Sequence, residues 1–194
     1  MSSLSISLRN VIYKDFVVEC SGCGKSYYLN EPKENASVVI KINKNDDVFC
    51  FSLDKDRDKG FPGDRVFPFL NPDTKGLCAK NDFILVYRKN DLINVLLVEL
   101  KGCNSGNYLN QLKSGKTVFD FIVQRINLCG GLDLGKLTED NISYRGVVFR
   151  KRETADKSTS TRQKPLDFNT DNLPFPVTHQ FYSDEPYYVS KFFK

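Results

Sequence analysis

The sequence contains 194 residues and has a mass of 22.2 kDa; 40% of its residues are hydrophobic and 27% are charged. A chain of this length and composition can form one domain with a packed core, so global disorder is not expected. No apolar run approaches the roughly 20 residues of a transmembrane helix, and the N-terminal residues lack the basic and apolar regions of a secretory signal. We therefore expect a cytoplasmic protein without a membrane span.

The charge balance permits a nucleic-acid partner without requiring one. Lysine and arginine number 28 against 24 acidic residues, which gives a formal net charge of +4. The only histidine is His179, so a histidine-rich zinc site or a histidine-centred catalytic triad is poorly supported. Six cysteines without a secretory signal indicate reduced thiols and not a disulfide framework.

The first third of the chain predicts strands and loops. Residues 5–18 alternate weakly between apolar and polar, which indicates a strand or an irregular segment and no convincing helix. Two β-prone runs, residues 37–42 and 48–53, flank a polar turn and predict a hairpin. The charged stretch from 54 to 65 contains Gly and Pro and predicts a loop.

The middle of the chain has the clearest pattern. Residues 82–87 and 93–100 predict two strands joined by a short turn, and the second is almost wholly apolar, as in a strand buried on both faces. Apolar residues at helical spacing then predict an amphipathic helix that begins near Ser105 and ends before Gly130. Residues 144–149 predict a further strand. This order of elements indicates an α/β fold.

The composition changes after residue 150. Residues 151–164 are polar and predict a loop, whereas residues 166–194 are rich in proline and aromatic side chains. We expect a core domain over residues 1–150 and a C-terminal extension over 151–194 that packs on it. Within the extension, His179 is expected to be a packing or surface residue.

One strand end carries an unusual set of charges. In the run that ends Val-Glu-Leu-Lys-Gly, Glu99 and Lys101 lie on the same face, because side chains alternate along a strand. If the two predicted strands pair in antiparallel fashion, Asp82 lies beside them. Charges at the end of a buried strand are costly unless they are paired, solvated or bound to a metal.

These residue types suit a hydrolytic metal site. Asp82, Glu99 and the backbone carbonyl of Leu100 offer the oxygen ligands that Mg²⁺ or Mn²⁺ prefers. A bound ion polarises a phosphodiester and lowers the pKa of its bound water. Lys101 is suited to orienting or activating that water, or to balancing charge that develops on the phosphate.

Asp82 on one strand, Glu99-Leu100-Lys101 at the end of the next, and an amphipathic helix behind them resemble the PD-(D/E)xK nuclease superfamily over residues 79–150. The resemblance implies a restriction-endonuclease-like core, a mixed central β-sheet flanked by helices. It implies metal-dependent hydrolysis of DNA phosphodiesters, with RNA as the substrate of some members. It also makes Gln111 in the helix a further catalytic candidate, and it implies a homodimer or part of a larger nuclease complex.

The chain departs from the family pattern in two places. Asn81 stands where many members have proline before the first acid. An upstream acid, often a glutamate on an N-terminal helix, is not identified by the sequence. The acids that remain open for that position are Glu31, Glu34, Glu19, Asp64 and Asp73.

Several other interpretations remain open. The alternative to an active nuclease is a catalytically inactive protein of the same fold that binds nucleic acid or regulates a partner. Cys20 and Cys23 have the spacing of half a zinc site, but no second pair accompanies them. Gly24-Lys25-Ser26 and Gly115-Lys116-Thr117 lack the first glycine of a phosphate-binding loop. The basic residues suited to tracking phosphates are Lys113, Lys116, Arg125, Arg145, Arg150, Lys151 and Arg152.

Overall fold

The computed structural model describes residues 4–21, 25–43, 46–53, 67, 69–71, 73–90, 92–102, 106–129, 139–151, 166–170 and 173–193. Over these residues the chain forms two β-sheets and two α-helices, with four short 3-10 helices between them. The α-helices and strands in chain order are α1 (Leu4–Val11), β1 (Ser26–Glu31), β2 (Ala36–Lys41), β3 (Asp47–Phe51), β4 (Phe83–Lys89), β5 (Leu92–Lys101), α2 (Tyr108–Cys129), β6 (Ile142–Arg150), β7 (Val177–Phe181) and β8 (Tyr187–Tyr188). No helix within the described ranges is long and apolar enough to cross a membrane.

The larger sheet is mixed and has the strand order β3-β4-β5-β6-β7. The first three strands are antiparallel neighbours, while β5, β6 and β7 run parallel. A parallel pair needs a crossover connection, and α2 supplies it between β5 and β6. The predicted α/β class is therefore confirmed.

The predicted hairpin between residues 37–42 and 48–53 is wrong. β2 pairs with β1 and β8 in a separate three-stranded sheet, whereas β3 pairs with β4 in the larger one. A polar turn between two β-prone runs is compatible with a hairpin or with a change of sheet. The pairing is decided by which core each strand completes, and local sequence does not carry that information.

The N-terminal segment is a helix, which corrects the prediction of a strand or irregular structure. Leu4 and Leu8 are each 1% exposed and lie one helical turn apart, so α1 presents one apolar stripe to the core. The carboxylate of Asp47 accepts hydrogen bonds from the first backbone N–H groups of the helix, those of Leu4 and Ser5. This cap comes from 43 positions along the chain, so no local capping signal marks the helix.

Two hydrophobic clusters fill the two faces of the larger sheet. One face packs against α1 and α2, and the other packs against the three-stranded sheet and the C-terminal segment. The large sheet is thus covered by helices on one face and by a second sheet on the other. This arrangement buries β5 on both sides, as its apolar sequence predicts.

Helix α2 packs along the sheet through side chains at helical spacing. Leu112, Phe119, Val123 and Ile126 are buried, each contributing about 1.5–3 kcal/mol relative to an exposed position. The predicted start and end of this helix agree with the observed range. Its N-terminal turns lie by the end of β5, and this positions helix side chains beside the charged residues there.

The C-terminal segment contributes to both sheets. β7 extends the large sheet at β6, and β8 pairs with β2. Phe175, Tyr187 and Phe192 are buried in the two clusters. Tyr182 donates a hydrogen bond of 3.1 Å from its hydroxyl to the Lys101 carbonyl, so this segment supports the charged end of β5.

Candidate active site

The strand register brings the predicted acids together. Phe83 of β4 pairs with Val98 of β5, so Asp82 and Glu99 are the next residues outward on neighbouring strands. Glu99 is fully buried and Asp82 is 4% exposed. Charged side chains reach this degree of burial only with specific partners.

The backbone of each strand holds the carboxylate of the other. The Asp82 N–H donates to Glu99 Oε1 at 3.1 Å, and the Leu100 N–H donates to Asp82 Oδ2 at 2.6 Å. Since the N–H and C=O of one strand residue point towards the same neighbouring strand, the Leu100 carbonyl also faces the Asp82 side. The proposed oxygen donors therefore converge at one strand end.

Lys101 and Gln111 join this cluster from the strand and from the helix. Lys101 Nζ lies 3.0 Å from Glu99 Oε2, and it donates to Gln111 Oε1 at 2.7 Å. The Gln111 amide in turn donates to the Lys80 carbonyl at 3.2 Å. Gln111 therefore ties α2, the lysine and the segment before β4 into one network.

The electrostatics of the cluster are unbalanced. Burial raises the pKa of Glu99 well above its usual range, and the nearby charge of Asp82 raises it further, while Lys101 opposes the shift. Burial alone would lower the pKa of Lys101, but the charges of Glu99 and Asp82 outweigh it and raise that pKa. The ammonium form of Lys101 is thus favoured, with Glu99 in contact and the charge of Asp82 nearby.

Glu34, one of the acids left open for the upstream position, lies next to the site. It lies in the 3-10 helix Pro32–Glu34, between β1 and β2, and its Oε2 accepts a 2.9 Å hydrogen bond from the Gly102 N–H. A Cβ at Gly102 would lie 2.8 Å from that oxygen. Because Gly102 has no side chain, the Glu34 carboxylate can reach its backbone N–H.

The structure gives the other described acids considered for the upstream position different surroundings. Glu31 accepts a hydrogen bond from the backbone N–H of Lys33, two residues further along the chain. Glu19 is paired with Arg9, and Asp73 is exposed. Asp64 lies outside the described residues.

Asn81, which stands in place of the expected proline, fixes the approach of α2. It is fully buried, and its side-chain amide donates to the Phe83 carbonyl at 2.6 Å. A Cβ at Gly115 would lie 2.3 Å from Asn81 Oδ1, so only glycine permits this contact. Gly115-Lys116-Thr117 is therefore part of the helix and not a phosphate-binding loop.

The donor set fits a hard divalent ion. Mg²⁺ is commonly held by one or two carboxylates and completes its shell with water and substrate phosphates. Asp82, Glu99 and the Leu100 carbonyl match that pattern. Among the described residues no group of three or more His, Cys, Asp or Glu side chains is arranged to hold a metal.

The zinc hypothesis concerns a different place. Cys20 donates from its thiol to the Ser26 carbonyl, and Cys23 lies outside the described residues. In the part of the chain that the structure covers, Cys20, Cys50, Cys78 and Cys129 form no disulfide. The zinc alternative therefore stays a prediction.

No known protein-family model matches the chain, and neither a curated protein nor a solved structure matches it. The site is thus defined by its own geometry. Asp82, Glu99, Lys101 and Gln111 form one connected network, with the Leu100 backbone between the two strands' acids.

Proposed function

We propose that the chain is a divalent-metal-dependent nuclease with a restriction-endonuclease-like core. The observation that carries the proposal is the pair of buried carboxylates, Asp82 and Glu99, fixed by reciprocal backbone hydrogen bonds beside the Lys101 ammonium. Burial and the charge of Asp82 disfavour the ionised form of Glu99. A divalent ion bound between the two acids would favour that form by compensating their charge.

The surrounding topology supports the same proposal. β4 and β5 are antiparallel, β5 and β6 are parallel, and α2 crosses behind them. The resemblance to the PD-(D/E)xK superfamily rests on an acid on one strand, an acid-x-lysine on the next and a helix behind them. The helix contributes Gln111 to the cluster, which is the position at which some members use a glutamine.

The residues have distinct roles in this proposal. Asp82, Glu99 and the Leu100 carbonyl would hold Mg²⁺ or Mn²⁺, which when bound supplies an activated water and polarises the phosphodiester. Lys101 orients that water by hydrogen bonding and stabilises negative charge that develops on the phosphate. Gln111 is a positioning residue, because it fixes the lysine between the helix and the Lys80 carbonyl.

Duplex DNA is the proposed substrate, with RNA as the second choice. The formal net charge of +4 gives the chain a mild attraction for polyanions, and an ion at the site adds positive charge where the phosphate reacts. Cleavage of both strands of a duplex requires two active sites, so we propose a homodimer or a larger nuclease complex as the working form.

A cleavage assay with isosteric variants tests the proposal. Wild-type protein should cut plasmid DNA or RNA with Mg²⁺ or Mn²⁺ and stop when a chelator is added. Asp82→Asn and Glu99→Gln keep the side-chain shapes but remove the charge, and should lower the rate on the order of 100-fold or more. Glu19→Gln is the matched control, since it makes the same change at an exposed acid.

Three outcomes decide between an active nuclease and an inactive protein of the same fold. Loss of cleavage in the two site variants alone supports the nuclease. Equal activity in Glu19→Gln and Glu99→Gln contradicts it. Nucleic-acid binding by wild-type protein without cleavage, under every metal condition, favours the inactive nuclease-fold protein that binds or regulates.

A further inference from the structure

Arg150 occupies the end of the strand next to the candidate active site. It is the last residue of β6 and lies in register with Lys101 of β5, one strand spacing of about 4.8 Å away. Its guanidinium lies 5.3 Å from the ring centre of Tyr108, and Lys101 contacts Gln111. Tyr108 and Gln111 are three residues apart and share one helix face. Arg150 and Lys101 therefore extend side by side under the same part of α2.

Arg150 is held in place by aromatic groups. The Tyr108 ring lies edge-on to the His179 ring, with 5.1 Å between the ring centres. A guanidinium over an aromatic face is restricted in orientation while its hydrogen-bond donors stay available. Tyr108 and His179 thus form a support that fixes the arginine without neutralising it.

Among the described residues, the guanidinium has no anionic partner. Its Nε is buried without a hydrogen-bond acceptor, and no carboxylate of the described residues forms an ion pair with it. A buried donor without an acceptor is unfavourable unless water or a ligand pairs with it. Burial and the charge of Arg150 together lower the pKa of His179, which is consistent with a positive field at this point.

Other basic residues considered for phosphate binding are differently placed. Arg145 donates to the Phe192 carbonyl and lies against Phe168. Lys116 is paired with Asp120. Lys113 and Arg125 are exposed on α2. Among the described basic residues of this group, Arg150 is the one whose register places it beside Lys101.

We propose that Arg150, supported by Tyr108 and His179, binds a backbone phosphate of the nucleic acid next to the phosphate held at Asp82, Glu99 and Lys101. This inference rests on the proposed function and adds the residue that sets the position of the strand. The planar guanidinium donates two parallel hydrogen bonds to phosphate oxygens, a geometry that suits the arginine fork.

Salt-dependent binding tests this contact without any cleavage. A short DNA duplex is titrated with full-length protein in chelator, and the binding constant is measured against salt concentration. In a plot of the logarithm of the binding constant against the logarithm of the salt concentration, each phosphate contact adds about 0.9 to the steepness of the slope. Arg150→Gln should flatten the slope by about that amount and weaken binding about tenfold at low salt. Arg125→Gln is the matched control, since it removes the same charge about 25 Å further along α2.

A second measurement needs no variant, because the chain has a single histidine. The pKa of His179 is read by NMR titration with and without the DNA duplex. A phosphate at Arg150 brings negative charge next to the imidazole and should raise that pKa. The same titration with a short single-stranded RNA shows whether the phosphate bound at Arg150 belongs to DNA or to RNA.

The results separate this inference from the nuclease proposal. A flatter slope in Arg150→Gln alone, together with a raised His179 pKa on binding, supports the contact. Equal slopes in the two variants and an unmoved His179 pKa, in a protein that cleaves DNA, overturn the contact and leave the nuclease intact. Wild-type protein that neither binds nor cleaves nucleic acid overturns both.

Discussion

Helix α2 passes two acid–lysine clusters that differ in burial. At its N-terminal end, Lys101 and Glu99 lie 3.0 Å apart with side chains that are 9% and 0% exposed. Further along, Lys116 and Asp120 lie 2.6 Å apart with side chains that are 30% and 28% exposed. The Tyr144 hydroxyl donates to the second oxygen of Asp120, so both of its oxygens have partners.

This difference is the reason that we propose the buried acid–lysine cluster, and not the other pair, as the reactive site. The half-buried pair links residues four apart on one helix, is partly screened by water and balances one negative charge with one positive charge. In the buried cluster two acids share one lysine, and burial with the Asp82 charge raises the pKa of Glu99. A depression of about 380 Å³ lies beside the half-buried pair, yet its charged groups already neutralise each other, so we assign it no reaction.

The largest expected effect comes from removing each lysine. Lys101→Met leaves two buried carboxylates without a cation and should lower the free energy of unfolding by about 3–5 kcal/mol at neutral pH. Lys116→Met, its control, should cost about 0.5 kcal/mol or less. Urea denaturation measures both.

The loss in Lys101→Met also has a defined pH dependence. Because the pKa of Glu99 is raised, its carboxyl takes up a proton readily once the lysine is gone, so the loss shrinks as the pH falls. It should also shrink when Mg²⁺ is added, since the ion replaces the missing charge. Equal losses for the two lysine variants would remove the distinction between the clusters.

A smaller effect is expected from the contact that brings α2 to the acids. Gly115→Ala places a Cβ 2.3 Å from Asn81 Oδ1 and should cost about 1–3 kcal/mol, although alanine favours helices over glycine. Thermal unfolding measures the change, with Thr117→Ala on the exposed helix face as the control. The double variant Asn81→Ala with Gly115→Ala should recover part of the loss. A stabilised Gly115→Ala protein would show that the helix does not depend on this approach.

The smallest effect is expected at Glu34. Its Gln variant still accepts from the Gly102 N–H, so we expect a cost of about 0.5–1 kcal/mol and cleavage within about fivefold of wild type. Glu99→Gln in the same assay should lose on the order of 100-fold or more. A loss of the same size in both would make Glu34 a metal ligand and not an anchor of the backbone.

The parts of the site that could be predicted from sequence depend on short-range rules. Alternation along β5 places Glu99 and Lys101 on one face, and the short turn before β5 makes Asp82 their neighbour. The helix behind them follows from its apolar spacing. Its glutamine comes from the resemblance, and the observed contact with Lys101 gives it a physical role.

The remaining features depend on contacts between distant parts of the chain. The cap of α1 by Asp47 spans 43 positions, and the hydrogen bond from Gly102 to Glu34 spans 68. The support of Arg150 by Tyr108 and His179 joins a helix to two strands. Helix or strand propensity and apolar periodicity do not predict these contacts, because the local sequence around each residue gives no sign of its distant partner.

Direct titration with Mn²⁺ tests the central claim, that Asp82 and Glu99 form a metal site. The bound ion is counted by electron paramagnetic resonance in wild-type protein, in Glu99→Gln and in Asp120→Asn as the control from the half-buried cluster. We expect a single Mn²⁺ site that is lost in Glu99→Gln and kept in Asp120→Asn. Mn²⁺ binding that is equal in Glu99→Gln and wild type, or absent from wild type, would contradict the assignment of the buried acids as metal ligands.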